Sequence, residues 1–143
     1  RPAPEALDAI RDARAVVIGP SNPVISIGPI LAVPGIREAV VATAAPVVAV
    51  SPLVGGQVLK GPTDAFLAWA GHELSSDGIA AAYDGLLDGL VADQRAHGLP
   101  TLETDVRLGD PAARARVARD VLAFAAELAE AGLLEPVVGG PEP

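Results

Sequence analysis

A single lysine, Lys60, stands between Gly55-Gly56 and Gly61-Pro62 in a loop that opens at Ser51. Upstream of it a second loop reads Gly19-Pro20-Ser21-Asn22-Pro23, ending a β-branched run and preceding an apolar segment that can open a helix at Ser26. Backbone N–H groups at a strand–loop–helix junction hold anionic groups, so both loops point to phosphate or nucleotide binding. Gly19 would let backbone approach a phosphate closely, and Ser21, Asn22 and Ser26 could donate from their side chains. An ammonium at Lys60 could neutralise a phosphate or a leaving diphosphate. Pro20, Pro23 and Pro29 would stiffen the first loop and lower the cost of ordering it. The same letters also make ordinary turns, and a lone loop lysine is commonly solvated.

Other chemistry-bearing residues are sparse. Asp93 and Asp105 each end a predicted strand and could reach the same crevice, to orient a hydroxyl or hold Mg²⁺, although such residues more often cap loops. His72 and His97 have no partner at triad or zinc-site spacing and read as surface residues. Trp69 and Tyr83 are expected in the core. The sequence has no Cys, which excludes a disulfide framework, a thiolate metal site and a Cys nucleophile and is compatible with a cytoplasmic location.

The elements that must position these loops follow from composition and pattern. The chain has 143 residues, enough for one domain with a real core. Half of them are hydrophobic but only 3% aromatic, so the core must be Ala, Val, Leu and Ile. A formal net charge of -8 argues against a nucleic-acid partner but leaves room for a small anion held locally by N–H groups. No apolar stretch is clean enough to span a bilayer and no signal peptide is visible, so no membrane role is expected.

Helices are predicted over 4–13, 26–31, 36–43, 62–70, 75–83 and from Asp110-Pro111 to Ala131-Gly132. The helix over 62–70 should turn Phe66, Trp69 and Ala70 inward, and the last should bury Val117, Val121, Phe124 and Leu128. Ala15–Ile18 and Pro46–Val50 read as strands covered on both faces, because neither alternates apolar with polar. Leu86–Ala92 and Thr101–Val106 are further strand candidates; the stretch 93–100 between them is short for a crossover helix. Alternating strands and helices predict an α/β fold, a Rossmann-like mostly parallel sheet with helices on both faces. Residues 1–138 are expected to belong to a single domain and 139–143 to form a mobile tail.

The blocks GPSNPVISIGPILAVPGIREA and APVVAVSPLVGGQVLKGPTDAFL resemble the CofD/FbiA family, the 2-phospho-L-lactate or phosphoenolpyruvate transferases of deazaflavin coenzyme biosynthesis. The likeness runs from Ala15 to Leu67 and continues more weakly to the last helix. It implies a transferase that moves a phosphoenolpyruvyl or 2-phospho-L-lactyl group from a guanosine-diphosphate-activated donor to the deazaflavin precursor Fo, with release of GMP and help from Mg²⁺. Arg usage and the actinobacterial character of the blocks favour the phosphoenolpyruvate version. The strand and GGTGG-like loop with which such proteins begin, and the acidic residues of that half, have no match here. The chain is therefore expected to correspond to the C-terminal portion of a larger domain, with the catalytic residues and metal ligands elsewhere, and to be inactive by itself. Only the two loops carry over, as nucleotide and donor contacts: Gly19, Pro20, Ser21, Asn22, Pro23, Ser26, Ile27 and Gly28, then Ser51, Gly55, Gly56, Lys60 and Gly61. A homodimer is expected. The alternative is a nucleotide-sugar-binding regulator of the gluconeogenesis-factor type, which shares the Gly-Pro-x-Ser and Val-Pro-Gly-Ile pattern but lacks the second block.

Overall fold

The computed structural model describes residues 1–134; the tail expected over 139–143 lies outside them. The helices are α1 (Pro4–Arg11), α2 (Gly28–Leu31), α3 (Ile36–Ala42), α4 (Thr63–Trp69), α5 (Ser76–Ala82) and α6 (Pro111–Leu134). The strands are β1 (Val16–Ile18), β2 (Val47–Val50), β3 (Leu53–Val54), β4 (Gln57–Val58), β5 (Gly89–Ala92) and β6 (Thr101–Glu103). Strands β1, β2, β5 and β6 form one sheet in that order, with every pairing parallel. Strands β1 and β6 are its edges.

Two apolar layers cover this sheet, as period-2 alternation requires. Val47 and Ala49 of β2, with Leu90 and Ala92 of β5, pack against Val40 of α3, Leu67 of α4, and Ile79 and Tyr83 of the α5 region. Their neighbours Val48, Val50 and Val91 face Val117, Val121, Phe124 and Ala125 of α6. All residues of β2 and β5 are buried, which is why their sequences do not alternate. Both long crossovers, through α3 and through α4–α5, run over one face, as connections of a common hand must. Among the described residues, only α6 covers the other. This is the predicted α/β arrangement. Burial also pushes the Tyr83 phenol up to about 12, so it stays protonated in the core.

Several expectations are corrected. The fifth strand begins at Gly89, not Leu86, and the sixth ends at Glu103, although Val106 is still buried beneath α6. Residues 93–100 join two adjacent parallel strands without a helix. That connection is held by Ala96 N–H donating to Thr101 Oγ1 at 3.2 Å, and by His97, whose backbone N–H and ring Nδ1 lie 2.6 and 2.8 Å from the Asp77 carboxylate. His97 is on the surface, as expected, but Asp77 gives it a partner. Trp69 is 79% exposed and not in the core. Helix α4 is rotated by one residue from the predicted face, burying Thr63 and Leu67 with Phe66 half-covered. The last helix does not stop at Gly132 but runs to Leu134.

Among the described residues no single helix is long and apolar enough to cross a membrane. The apolar segments Pro23–Leu31 and Ile36–Ala42 are bent by 87° from one another and bury Pro23, Ile36 and Val40.

Candidate functional site

Parallel strands deliver their following loops to one edge of a sheet, where α/β proteins place ligands. Here three such loops enclose a cleft of about 630 Å³. The loop after β1 contributes Pro20, Ser21, Asn22, Ile25 and Ser26. The segment after β2 contributes Ser51, Pro52, Val54, Leu59, Lys60, Gly61, Pro62 and Thr63. The loop after β6 adds a third wall: Val106, Arg107, Leu108 and Gly109.

The first wall is organised by Asn22. Pro23 opens a π-helical turn, Pro23–Ile27, that runs directly into α2. Its cap is Asn22 and not Ser26 as the sequence suggested: the Asn22 Oδ1 accepts the N–H groups of Val24 at 2.9 Å and Ile25 at 3.2 Å. Those two bonds fix which way the amide points. They leave its Nδ2 buried with no acceptor, in a residue only 8% exposed. An orphaned buried donor costs about 1–3 kcal/mol, which a ligand oxygen would recover.

The second wall is anchored by Ser51, 1% exposed, whose N–H donates to the Val91 carbonyl at 2.8 Å while its Oγ accepts the Leu53 N–H at 3.1 Å. The chain then makes a hairpin that sequence reading missed. Strands β3 and β4 pair antiparallel across Gly55 and Gly56, whose φ values of +59° and +70° suit a two-residue type I′ turn. The Gly55 N–H is already committed to Asp93 Oδ2 at 2.5 Å. Lys60 follows the hairpin, exposed at the cleft and without an ion-pair partner among the described residues.

In the third wall the Arg107 guanidinium is gripped by Asp105. Its Nε lies 2.9 Å from Oδ1 and its Nη2 lies 2.7 Å from Oδ2, while the Arg107 backbone N–H also donates to Oδ1 at 3.0 Å. These bonds hold the Asp105 carboxyl well below the usual carboxylate range, so it is ionised throughout ordinary pH. Arg116 ties the loop down from α6, donating from Nη2 to the Asp105 carbonyl at 2.7 Å.

Of the residues expected to bind, the structure brings Pro20, Ser21, Asn22, Ser26, Ser51, Lys60 and Gly61 to the cleft. Gly19, Pro23, Ile27, Gly28, Gly55 and Gly56 do not line it. Pro23, Ile27 and Gly28 build the turn behind Asn22, and the Gly pair builds the hairpin. Arg107, Leu108 and Gly109 were missed. Nothing in their spacing marks them, since only the sheet order brings the loop after β6 opposite Lys60.

The residues present do not form a magnesium cage. Asp93 and Asp105 are both engaged, by Gly55 and Arg107, and no three His, Asp or Glu side chains meet among the described residues. What the cleft does offer is one unpaired cation, Lys60, and one unused amide donor, beside an Arg107 whose charge is already matched by Asp105, in a chain whose net charge is -8. That suits a small, multiply charged anion held locally.

Comparison with known proteins agrees with this chemistry. Residues 1–130 match the family model described as 2-phospho-L-lactate transferase CofD. A protein named phosphoenolpyruvate transferase from Streptomyces coelicolor is 42% identical over 141 residues, covering 92% of this chain and 44% of the relative. Its namesake from Kitasatospora aureofaciens is 41% identical over 138 residues, 90% of this chain and 43% of the relative. A 2-phospho-L-lactate transferase from Halobacterium salinarum is 47% identical over 117 residues, 80% of this chain and 34% of the relative. The chain thus spans less than half the length of these curated relatives.

Proposed function

This chain belongs to the 2-phospho-L-lactate transferase CofD family, and from that membership we propose that it supplies the donor-binding loops of a transferase acting on a guanosine-diphosphate-activated phosphoenolpyruvate or 2-phospho-L-lactate. In this reading the acceptor is the terminal ribityl hydroxyl of the deazaflavin precursor Fo. Its oxygen attacks the phosphorus that carries the acid and gives up its proton to solvent, the bond from that phosphorus to the bridging oxygen breaks, and GMP leaves with that oxygen and the negative charge. Such a transfer needs positioning and charge neutralisation more than covalent chemistry.

The chain's own groups have parts in it. The Asn22 amide donates to a non-bridging phosphate oxygen. Lys60 offsets charge building on the departing GMP. Ser21, Ser26 and Ser51 complete the donor set, and Gly61, at φ +79°, turns the chain beside Lys60. Magnesium stays in the proposal as a cofactor whose ligands lie outside the described residues, and no step is assigned to it here.

The observation that carries this reading is the buried Nδ2 of Asn22, which lacks an acceptor at the edge of a cleft that also holds Lys60. Calorimetry on the whole protein provides the test. Guanosine diphosphate should bind more tightly than a uridine diphosphate sugar, and donor plus Fo should give the coupled product and GMP when magnesium is supplied. Preference for the sugar nucleotide would favour the regulatory alternative.

A further inference from the structure

Asp105 occupies one edge of the Arg107 guanidinium, the edge made by Nε and Nη2. A guanidinium has five N–H donors in a planar fork, so the edge formed by Nη1 and Nη2 keeps donors to offer. Nothing among the described residues accepts a hydrogen bond from the Arg107 Nη1. The side chain is 65% exposed, yet it is not loose. Its backbone N–H and three side-chain bonds go to one carboxylate, and Arg116 fastens the carbonyl of that same Asp105. The result is a cation held in a set orientation, presenting a second, unused fork at the cleft wall.

The two cations of the cleft therefore differ in kind. Lys60 is a point charge on a flexible stem, which suits the tetrahedral, many-oxygen surface of a diphosphate. A clamped guanidinium edge suits an anion that offers two oxygens for parallel N–H bonds, which a carboxylate does as well as a phosphate. Leu108 and Val54 line the same cleft and offer apolar surface for a short carbon skeleton.

We propose that Arg107, oriented by Asp105, is the subsite that recognises the carboxylate of the donor's acid portion, at a distance from the groups that hold the diphosphate. The proposal rests on the donor reading given above. It assigns Arg107 a substrate contact and Asp105 a positioning role.

The test compares three compounds by calorimetry on the whole protein: guanosine diphosphate, the activated donor, and the same donor with its carboxylate converted to a carboxamide. Unmodified protein should prefer the acid over the amide by about 10-fold or more, the scale of a hydrogen bond to a charged group. Arg107→Gln should erase that preference while leaving guanosine diphosphate affinity within about 3-fold, and Arg107→Lys, which keeps charge but loses the fork, should retain only part of it. Asp105→Asn should also blunt the preference, although residue 105 touches no ligand. If Arg107→Gln weakens guanosine diphosphate as much as the donor, Arg107 is a diphosphate contact and the proposal fails. It fails equally if the acid-over-amide preference survives the substitution. A wild-type protein that binds neither guanosine diphosphate nor donor removes the donor reading itself, a result distinct from either of these.

Discussion

Gly89 of β5 lies directly beneath Phe124 of α6: a methyl group built on the glycine would stand 2.6 Å from the ring Cε1. The missing side chain is what lets the longest helix close onto its face of the sheet.

Adding that methyl should cost stability. Gly89→Ala must displace Phe124 and Leu128, a rearrangement of flexible side chains expected to cost about 1–3 kcal/mol. Gly78→Ala should cost more, because its methyl would run into the backbone oxygen of Glu73 and backbone has less freedom to move. Denaturant midpoints for the two variants check the order. In a double-mutant cycle, Phe124→Leu should recover part of the Gly89→Ala loss and none of the Gly78→Ala loss.

The cap that Asn22 makes and the ligand contact proposed for it can be separated by substitution. Serine is as good a helix cap as asparagine, so Asn22→Ser should keep the cap to Val24 and Ile25 while removing the unpaired amide. Folding stability should hold or rise, and guanosine diphosphate affinity should fall by about 10-fold. Asn22→Ala should lose both, with about 1 kcal/mol of stability gone with the cap. Parallel thermal melts and calorimetry would show whether the two effects come apart.

The Gly55-Gly56 turn is expected to be scaffold. Gly55→Asn gives the pair preferred in type I′ turns and keeps the N–H that Asp93 accepts, so ligand affinity should change by less than about 3-fold. Gly56→Val, at φ +70°, should strain the hairpin and lower the melting temperature. A large loss of guanosine diphosphate binding in Gly55→Asn would mean that this turn touches the nucleotide directly.

The His97–Asp77 pair should give stability a pH window. Asp77 raises the His97 pKa above the usual 6.5, so the imidazolium's contribution is complete below 6.5 and is lost as pH climbs through the raised value. His97 lowers the Asp77 pKa below the usual 3.8, so the carboxylate's contribution is complete above 3.8 and is lost as pH falls through the lowered value. The difference in melting temperature between wild type and His97→Gln should therefore be largest between pH 3.8 and 6.5 and shrink as pH rises through the raised imidazole value. It should be small throughout, since both groups face solvent and surface pairs are weak.

What the sequence disclosed follows from how far each signal reaches. Strand β1 is an unbroken β-branched run and β2 is interrupted only by Ala49, and the apolar residues of α6 recur at helical spacing, so local pattern was enough. Helix α4 was expected to turn Phe66, Trp69 and Ala70 inward, but the adjacent Leu67 lies just as close to that face in the sequence, and a one-residue rotation buries it and sends Trp69 into solvent. Strands β3 and β4 are two residues each, too short for any periodicity, and their glycines read equally well as an anion cradle. Asn22 looked like a ligand donor, and the structure shows its Oδ1 to be a cap, a role the sequence reading had given to Ser26. Arg107 was illegible because its place opposite Lys60 depends on β6 joining β5 in parallel through a connection without a helix. The connection that brings them together is pinned by long-range contacts such as His97 with Asp77, which no local pattern records.

Strand β1 ends the sheet after only three residues. In a parallel ladder alternate residues point their peptide groups to opposite sides, and Val16 already uses its N–H on Pro46, so Val17 turns one donor and one acceptor outward. Two backbone bonds on that rim would yield about 1–3 kcal/mol, whereas bringing two molecules together forfeits at least about 4 kcal/mol of freedom. The rim can set the alignment of a neighbouring strand but cannot by itself hold one in place. Any lasting assembly along it must draw its adhesion from greasy surface nearby, such as the half-uncovered side chains of Val17 and Leu122.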